Sequence, residues 1–118
     1  MGSSIKTNDE MRADGPVLVW PPAIDFIDDK AGNPVGIHSH VGRRPIEAFG
    51  NSDGDQQMLE WATGAPGARF ALLVHHTDAE REDAHDQGAE KALAEARAKR
   101  WTVVDMKQDW EVIYPPVK

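Results

Sequence analysis

Apolar and polar positions occur in blocks along the chain, and four short apolar runs are the clearest pattern. They lie at Val17–Trp20, Pro45–Phe49, Phe70–Val74 and Trp101–Val104. Runs of this length, rich in branched and aromatic residues, are typical of β-strands. The run Phe70–Val74 has no polar position, which indicates a strand buried on both faces of a parallel sheet.

The segments between these runs have helical character. Gly32–Val41 predicts a short helix entered through an Asn-Pro pair, because proline is tolerated in a first turn. Gln56–Trp61 is helix-like, and Ala79–Arg100 is rich in strong helix formers, with Gly88 as its break. A last short strand is predicted at Glu111–Tyr114. The order strand–helix–strand–helix–strand indicates an α/β fold with a parallel sheet flanked by helices.

The first part of the chain has a different pattern. Ser3–Arg12 alternates weakly, and the strand-like run after it ends before two prolines, which cannot donate to a β-ladder. Asp14-Gly15 between them is a strong hairpin turn signal. We therefore predict an antiparallel hairpin within residues 1–22 and an α/β core fragment over residues 23–118, together forming one domain.

Composition and charge narrow the function. A net charge of −7 argues against a nucleic-acid partner, which requires clustered Lys and Arg. No apolar run approaches the roughly 20 residues that span a bilayer, so no membrane partner is expected. The chain has no cysteine, which excludes disulfides and thiol chemistry. The N-terminal residues have no apolar signal core, so we expect a cytoplasmic protein.

The most informative stretch is the polar turn between Pro45–Phe49 and the helix after it. It carries three metal-capable side chains, Asn51, Asp53 and Asp55. In an α/β sheet such a turn lies at the carboxyl edge, where ligands bind. Two carboxylates and an amide oxygen suit Mg²⁺, which prefers oxygen ligands. The alternative from spacing alone is that Ser52 or Asp53 only caps the helix.

The histidines give little support for a transition-metal site. His38 and His40 are two positions apart and cannot share a helical face. His75 and His76 are adjacent and point to opposite sides of an extended chain. We interpret these histidines as structural or solvated, with a substrate contact by one of the second pair as the alternative.

The sequence Gly-Asn-Ser-Asp-Gly-Asp-Gln-Gln-Met-Leu at Gly50–Leu59 resembles the fourth motif of the haloacid dehalogenase-like (HAD) hydrolases, usually Gly-Asp-x-x-x-Asp-x-x-Met/Leu. Lys30 resembles the lysine of the third motif and stands at a family-like distance before that turn. Leu72–Glu82 and Trp101–Trp110 are similar to a bacterial branch related to phosphoserine phosphatase. The likeness covers most of the chain.

The resemblance implies a partial Rossmann-like HAD core and a phosphatase site. Mg²⁺ would be held by Asn51, Asp53 and Asp55, although the family commonly has Asp at the first of these positions. Lys30 and Asp55 would be the catalytic residues. Lys30, Asn51 and Ser52 would bind the substrate, a small phosphorylated metabolite such as phosphoserine.

The likeness matches only the C-terminal half of such enzymes, whose nucleophile is the first Asp of an Asp-x-Asp-x-Thr turn. The acidic stretch Ile24–Asp29 has the wrong spacing and no apolar strand before it, so a helix-capping turn is the favoured interpretation. A sheet without the nucleophile strand would expose apolar side chains and unpaired backbone. We therefore expect a homodimer, with strand exchange as one way to form it.

Three functions from different classes remain open. The first is a weak Mg²⁺-assisted phosphatase that acts without the usual aspartate nucleophile. The second is a protein that binds phosphate or metal without turnover. The third is an interaction subunit that completes or modulates another protein.

Overall fold

A computed structural model describes residues 2–84 and 87–116, which form a mixed α/β structure. The strands are β1 (Ser4–Ile5), β2 (Asn8–Arg12), β3 (Gly15–Val19), β4 (Ile24–Phe26), β5 (Glu47–Gly50), β6 (Phe70–His75) and β7 (Thr102–Asp105). The helices are α1 (Gly32–Val41), α2 (Gln56–Thr63), α3 (Glu90–Lys99) and α4 (Met106–Asp109), and a 3-10 helix, Asp53–Asp55, precedes α2.

The centre of the molecule is a three-stranded parallel sheet in the order β5-β6-β7. Ala48 pairs with Ala71, and Leu73 pairs with Val103 across the next interface. The crossovers run through α2 and α3, as parallel pairing requires. The predicted parallel sheet flanked by helices is confirmed, and α1 has the bounds that its sequence pattern predicts.

Helices α2 and α3 cover one face of this sheet with small residues. Leu59 and Leu73 are the largest fully buried side chains, and the core around them consists of Ala48, Ala62, Ala71, Ala92, Ala96 and Trp101. Alanine at the contacting positions allows helix and sheet to lie close together. This packing fixes the direction of the loops at both ends of the sheet.

On the opposite face of the sheet, apolar side chains are left exposed by the residues that the structure describes. Phe49 and Phe70 point to this face, their rings 6.0 Å apart, and they are 56% and 39% exposed. Leu72 and Val74 on the same face are only partly buried. The prediction that Phe70–Val74 is buried on both faces is therefore wrong, because the strand is buried on one face only. Parallel sheets normally have both faces covered.

The N-terminal hairpin is confirmed as β2 and β3, which pair antiparallel from Asn8↔Val19 to Arg12↔Gly15. Its turn lies at Ala13-Asp14, one residue earlier than the sequence signal suggests. Gly15 follows with a φ of 121°, a conformation that favours glycine.

Ile24–Phe26 forms β4, which pairs antiparallel with β1. The predicted helix-capping turn at Ile24–Asp29 is therefore wrong in its first half. The local acidic residues did not reveal the pairing because the partner strand lies about twenty positions earlier in the chain.

Two other predictions differ from the structure. Only Glu90–Lys99 of the predicted helical segment 79–100 is α-helical, and the described residues before it form turns and irregular backbone, while His85 and Asp86 lie outside the described residues. The strand predicted at Glu111–Tyr114 is irregular. Arg81 takes part in both places, because its side chain donates to Asp78, immediately before the first segment, and to the carbonyls of Trp110 and Glu111 at the start of the second.

Within residues 2–84 and 87–116, no helix has the length and apolar character that crossing a membrane requires.

Candidate functional site

The loop after β5 and the residue after β6 meet at the carboxyl edge of the sheet. They enclose an open cleft of about 420 Å³ lined by Phe49, Gly50, Asn51, Asp55, Val74 and His76. This is the edge where open α/β sheets bind their ligands. The structure therefore brings two of the predicted site residues, Asn51 and Asp55, together in one cleft.

Asp55 holds the loop in its closed shape. Its Oδ2 atom accepts hydrogen bonds from the Asn51 N–H at 3.0 Å, from the Ser52 N–H at 3.3 Å and from the Ser52 hydroxyl at 3.3 Å. A Cβ placed on Gly50 would lie 2.5 Å from the Asp55 Cβ, so glycine is required here by close approach. None of the described residues donates to the other carboxylate oxygen of Asp55, which leaves it for a ligand.

Asp53 is directed away from this cleft. Its Oδ1 atom accepts a hydrogen bond from the Ala92 N–H at 2.8 Å, and its own N–H donates to the Gly88 carbonyl. Ala92 lies in the first turn of α3, where backbone N–H groups have no partner within the helix. Asp53 therefore does cap a helix, as one interpretation of the sequence suggests, but the helix is α3 and not the adjacent α2.

Lys30 lies beside the loop through its backbone. Its N–H donates to the Gly54 carbonyl at 3.0 Å, and the Asn33 side-chain amide donates to the same oxygen at 3.1 Å. Lys30 adopts a φ of 51°, which is uncommon for a residue other than glycine. The exposed lysine side chain thus starts next to the motif that the resemblance associates with it.

His76 is the principal residue that sequence reasoning undervalued. Its Nδ1 atom is 2.7 Å from Oε2 of Glu82, a carboxylate with only 5% of its side chain exposed. Its Nε2 atom lies 3.4 Å from the Asn51 side-chain amide nitrogen. With the ring proton on Nδ1 donated to Glu82, Nε2 is the acceptor for the Asn51 side-chain amide at the edge of the cleft. The available signal was its position directly after β6.

Asp29 also reaches the loop. A Cβ placed on Gly54 would lie 2.6 Å from Asp29 Oδ1 and 3.3 Å from the Ser52 hydroxyl oxygen. The carboxylate of Asp29 therefore packs directly against the glycine between Asp53 and Asp55. Its neighbour in the acidic stretch, Asp25, is instead on β4 and accepts a hydrogen bond from the Ser4 hydroxyl at 3.3 Å.

The remaining polar residues at this edge hold the backbone. The Thr77 hydroxyl donates to Asp105 Oδ1 at 2.6 Å, and the same oxygen accepts the Lys107 and Gln108 N–H groups at the start of α4. The hydrogen bond from Thr77 and these backbone donors hold the pKa of Asp105 below its ordinary value. This carboxylate therefore serves as a cap that joins β6 to β7.

The three residues predicted to bind Mg²⁺ are only partly arranged to do so. Asn51 and Asp55 line one cleft and each offers an oxygen, which is the small protein contribution that Mg²⁺ usually takes beside waters and phosphate. Asp53 would have to release Ala92 to join them. Among the described residues, no group of three or more His, Cys, Asp or Glu side chains is placed to hold a metal ion. The Mg²⁺ site stays a prediction.

No protein-family model matches this chain, and no curated protein matches it either. The resemblance to the HAD hydrolases therefore depends on the motifs in the sequence itself, and it stays a prediction.

Proposed function

We propose that this chain is part of a HAD-like phosphatase core that hydrolyses small phosphomonoesters, such as phosphoserine, in the cytoplasm. The observation that carries the proposal is the common cleft of Asn51, Asp55 and His76 at the carboxyl edge of β5 and β6. The backbone bond from Lys30 to Gly54 adds the lysine at the same loop. These are the residue types that phosphate-ester chemistry needs in one place.

The phosphoryl group would enter the cleft with its charge towards Lys30. The lysine ammonium is a flexible point charge and suits a phosphate oxygen. Mg²⁺, held by Asn51 and Asp55, would neutralise developing charge on the phosphoryl oxygens. The Ser52 hydroxyl, which now donates to Asp55, is the additional donor beside these groups.

The proposed route uses water as the nucleophile, activated by His76, in place of an aspartate. Once the Asn51 amide releases it, Nε2 of His76 takes a proton from water as the water oxygen forms a bond to phosphorus, and the ester P–O bond breaks. The departing alkoxide lies on the opposite side of phosphorus and takes its proton from solvent water in the open cleft, and the imidazolium returns its proton to solvent, so the site returns to its starting state. Glu82 would hold the orientation and the tautomer of the ring through its contact with Nδ1.

Phosphate release from phosphoserine and p-nitrophenyl phosphate, with and without Mg²⁺, tests this function. We expect His76→Gln, Asp55→Asn and Lys30→Ala each to lower the rate at least about tenfold. Lys6→Ala and Asp9→Asn, in the exposed N-terminal segment, are the matched controls and should keep the full rate. An unchanged rate in His76→Gln and Asp55→Asn would assign the activity to a contaminating phosphatase and reject the proposal.

The open sheet face favours a second candidate, an interaction subunit without turnover. Strand β5 has β6 as its sheet neighbour on one side, and Phe49 and Phe70 expose their rings on the uncovered face. An edge strand beside an exposed apolar face is a surface that another chain can cover. We propose a second copy of this chain as that partner, giving a homodimer. Co-purification with a partner chain, without phosphate release, would favour this candidate over the enzyme, whereas Mg²⁺ or phosphate binding without turnover would indicate a binding protein.

A further inference from the structure

We propose a second binding site, for a small organic anion with a carboxylate or phosphate group, at the amino end of the sheet. A cavity of about 470 Å³ lies there between the first residues of β6 and β7 and the last residues of α2 and α3. Phe70 begins β6 and His75 ends it, so this cavity and the catalytic cleft lie at opposite ends of the same strand. The inference does not depend on the proposed phosphatase activity.

The indole of Trp101 gives the first evidence for a ligand. Trp101 lines the cavity and is only 7% exposed. Its backbone N–H donates to the Ala96 carbonyl at 2.9 Å, but its indole N–H is buried and has no acceptor among the described residues. Burying a donor without an acceptor is unfavourable, and native structures rarely leave one in that state. A ligand acceptor would remove this cost when a small shift of the cavity wall opens the buried indole nitrogen to it.

Arg69 is a second cavity residue with a buried N–H group that has no acceptor among the described residues. It lies immediately before β6, lines the same cavity, and donates from Nη1 to the Pro45 carbonyl at 3.0 Å. Its Nε–H is also buried without an acceptor among the described residues. Two buried donors beside one cavity, one of them on a permanent cation, indicate an anionic ligand because carboxylate and phosphate oxygens are strong acceptors for guanidinium groups.

The charges around the cavity favour an anion as well. Lys99 is bonded to Glu60 at 2.9 Å and to Glu95 at 3.1 Å, so these three side chains together carry one net negative charge. Lys99 also lies 5.8 Å from the centre of the Trp101 ring. The positive charges beyond this cluster belong to Arg69 and to Arg100, which is exposed at the rim. These two arginines outweigh the negative charge of the cluster, which leaves a small local excess of positive charge in a chain of net charge −7.

The apolar residues that line the cavity indicate what the uncharged part of the ligand is. Phe70, Ala71 and the ring of Trp101 contribute apolar surface next to the charged groups. The cavity is larger than a bare phosphate ion needs, and ligand pockets of this kind combine apolar walls with a few placed polar groups. The ligand that fits is therefore an anion with an aromatic or aliphatic body, such as an aryl carboxylate or an aryl phosphate.

Nuclear magnetic resonance of the full chain, labelled with ¹⁵N, provides a direct test. The indole N–H signal of Trp101 is identified as the one lost in Trp101→Phe. Phenyl phosphate and benzoate serve as the two anionic probes, and benzyl alcohol as the neutral one. We expect a saturable shift of the Trp101 indole signal with one or both anions and little shift with benzyl alcohol.

Variants that remove the positive charges of the cavity test whether these charges bind the anion. Arg69→Gln and Arg100→Gln should each weaken the anion affinity at least about tenfold. Arg100 has an exposed side chain, so its variant tests the charge without disturbing the core, and Arg97→Gln on the same helix is the matched control that should bind normally. No saturable shift with either anion, or an equal shift with benzyl alcohol, would overturn the proposal. So would full affinity in both Arg69→Gln and Arg100→Gln.

Discussion

The Asp53 carboxylate and the Ala92 N–H are joined by a 2.8 Å hydrogen bond that spans 39 positions of sequence. The bond connects the loop after β5 to the first turn of α3, and it uses an acceptor that sequence spacing assigns to a metal or to the cap of α2. Removing a helix-capping acceptor typically costs about 1 kcal/mol. We therefore expect Asp53→Ala to lower the free energy of unfolding by about 1 kcal/mol, measured by urea denaturation.

Asp53→Asn separates the capping role from a metal role. The amide oxygen of Asn can still accept from Ala92, so this variant should be nearly as stable as the parent chain. If Asp53 served mainly as a Mg²⁺ ligand, Asp53→Ala would be as stable as the parent chain without Mg²⁺ and would lose only the stabilisation that Mg²⁺ adds. That result would contradict the capping role.

A second prediction concerns Arg81, whose guanidinium binds Asp78 and the C-terminal segment together. Its Nε donates to Asp78, and Nη1 donates to the carbonyls of Trp110 and Glu111 at 2.8 and 2.7 Å. Arg81→Gln would leave Asp78, which is 3% exposed, without its cation. Because Arg81 is itself one third exposed, we expect a smaller loss of unfolding free energy than a fully buried pair would give.

Urea denaturation measures this loss, and limited proteolysis shows whether the segment after α4 is released. Arg97→Gln, which removes an exposed arginine on α3, is the control and should change stability by less than about 0.5 kcal/mol. Equal stability of Arg81→Gln and Arg97→Gln would show that the guanidinium contacts do not hold the segment.

The dependence of stability on acid gives the third prediction. The side-chain hydrogen bond from Arg81 holds the pKa of Asp78 below its ordinary value, and backbone N–H groups of Glu80 and Arg81 add to the effect. A carboxylate whose pKa is lower in the folded state stabilises the fold fully above its unfolded pKa, near about 3.9. That stabilisation is lost as the pH falls through the lower pKa that Asp78 has in the folded state.

We therefore expect the free energy of unfolding to decrease as the pH falls below about 4, with a smaller decrease in Asp78→Asn. Urea denaturation at a series of pH values measures both slopes. Asp9→Asn in the exposed hairpin is the control and should follow the parent chain. The same slope in Asp78→Asn and the parent chain would show that another group is responsible, and Asp105 is the next candidate because its pKa is also lowered.

Local sequence pattern predicts the parallel sheet, α1 and the hairpin because each depends on nearby residues. The runs at Phe70–Val74 and Trp101–Val104 and the glycine-rich turn after Phe49 contain enough signal to place β5, β6 and β7. The irregular segment after α4 could not be predicted in this way, because its structure depends on a residue far away in the sequence. Its carbonyls bind Arg81, about 30 positions earlier, and a pattern confined to Glu111–Tyr114 does not contain that partner.

In the candidate site, too, the features that depend on neighbouring residues could be predicted, and those that depend on distant contacts could not. The sequence identifies the loop of Asn51 and Asp55 because the chemistry-bearing residues are close together in the chain. It does not identify His76 with Glu82, since adjacency of two histidines says nothing about which of them receives a buried carboxylate. It also cannot assign Asp53 to α3, because that bond is made only when the helix packs against the sheet.

The two glycines of the loop give the fourth prediction. A Cβ on Gly50 would lie 2.5 Å from the Asp55 Cβ, an atom fixed by the backbone. A Cβ on Gly54 would lie 2.6 Å from Asp29 Oδ1, the end of a side chain that can turn away. We expect Gly50→Ala to cost about 1–3 kcal/mol through overpacking and Gly54→Ala to cost less. Thermal unfolding of both variants compares them, and the reverse order would contradict the packing of Asp55 against Gly50.

The fifth prediction is association through the open sheet face. Phe49 is 56% exposed beside Phe70 on the face that α2 and α3 leave uncovered, and β5 is an edge strand. A second copy would bury these rings, so size-exclusion chromatography with light scattering should give twice the mass of one chain. Phe49→Gln should shift the equilibrium towards the monomer, whereas Val35→Gln, an equally exposed apolar position on α1, should not. A monomer at all concentrations in the parent chain would defeat the homodimer, and dimers of equal strength in both variants would move the interface to another surface.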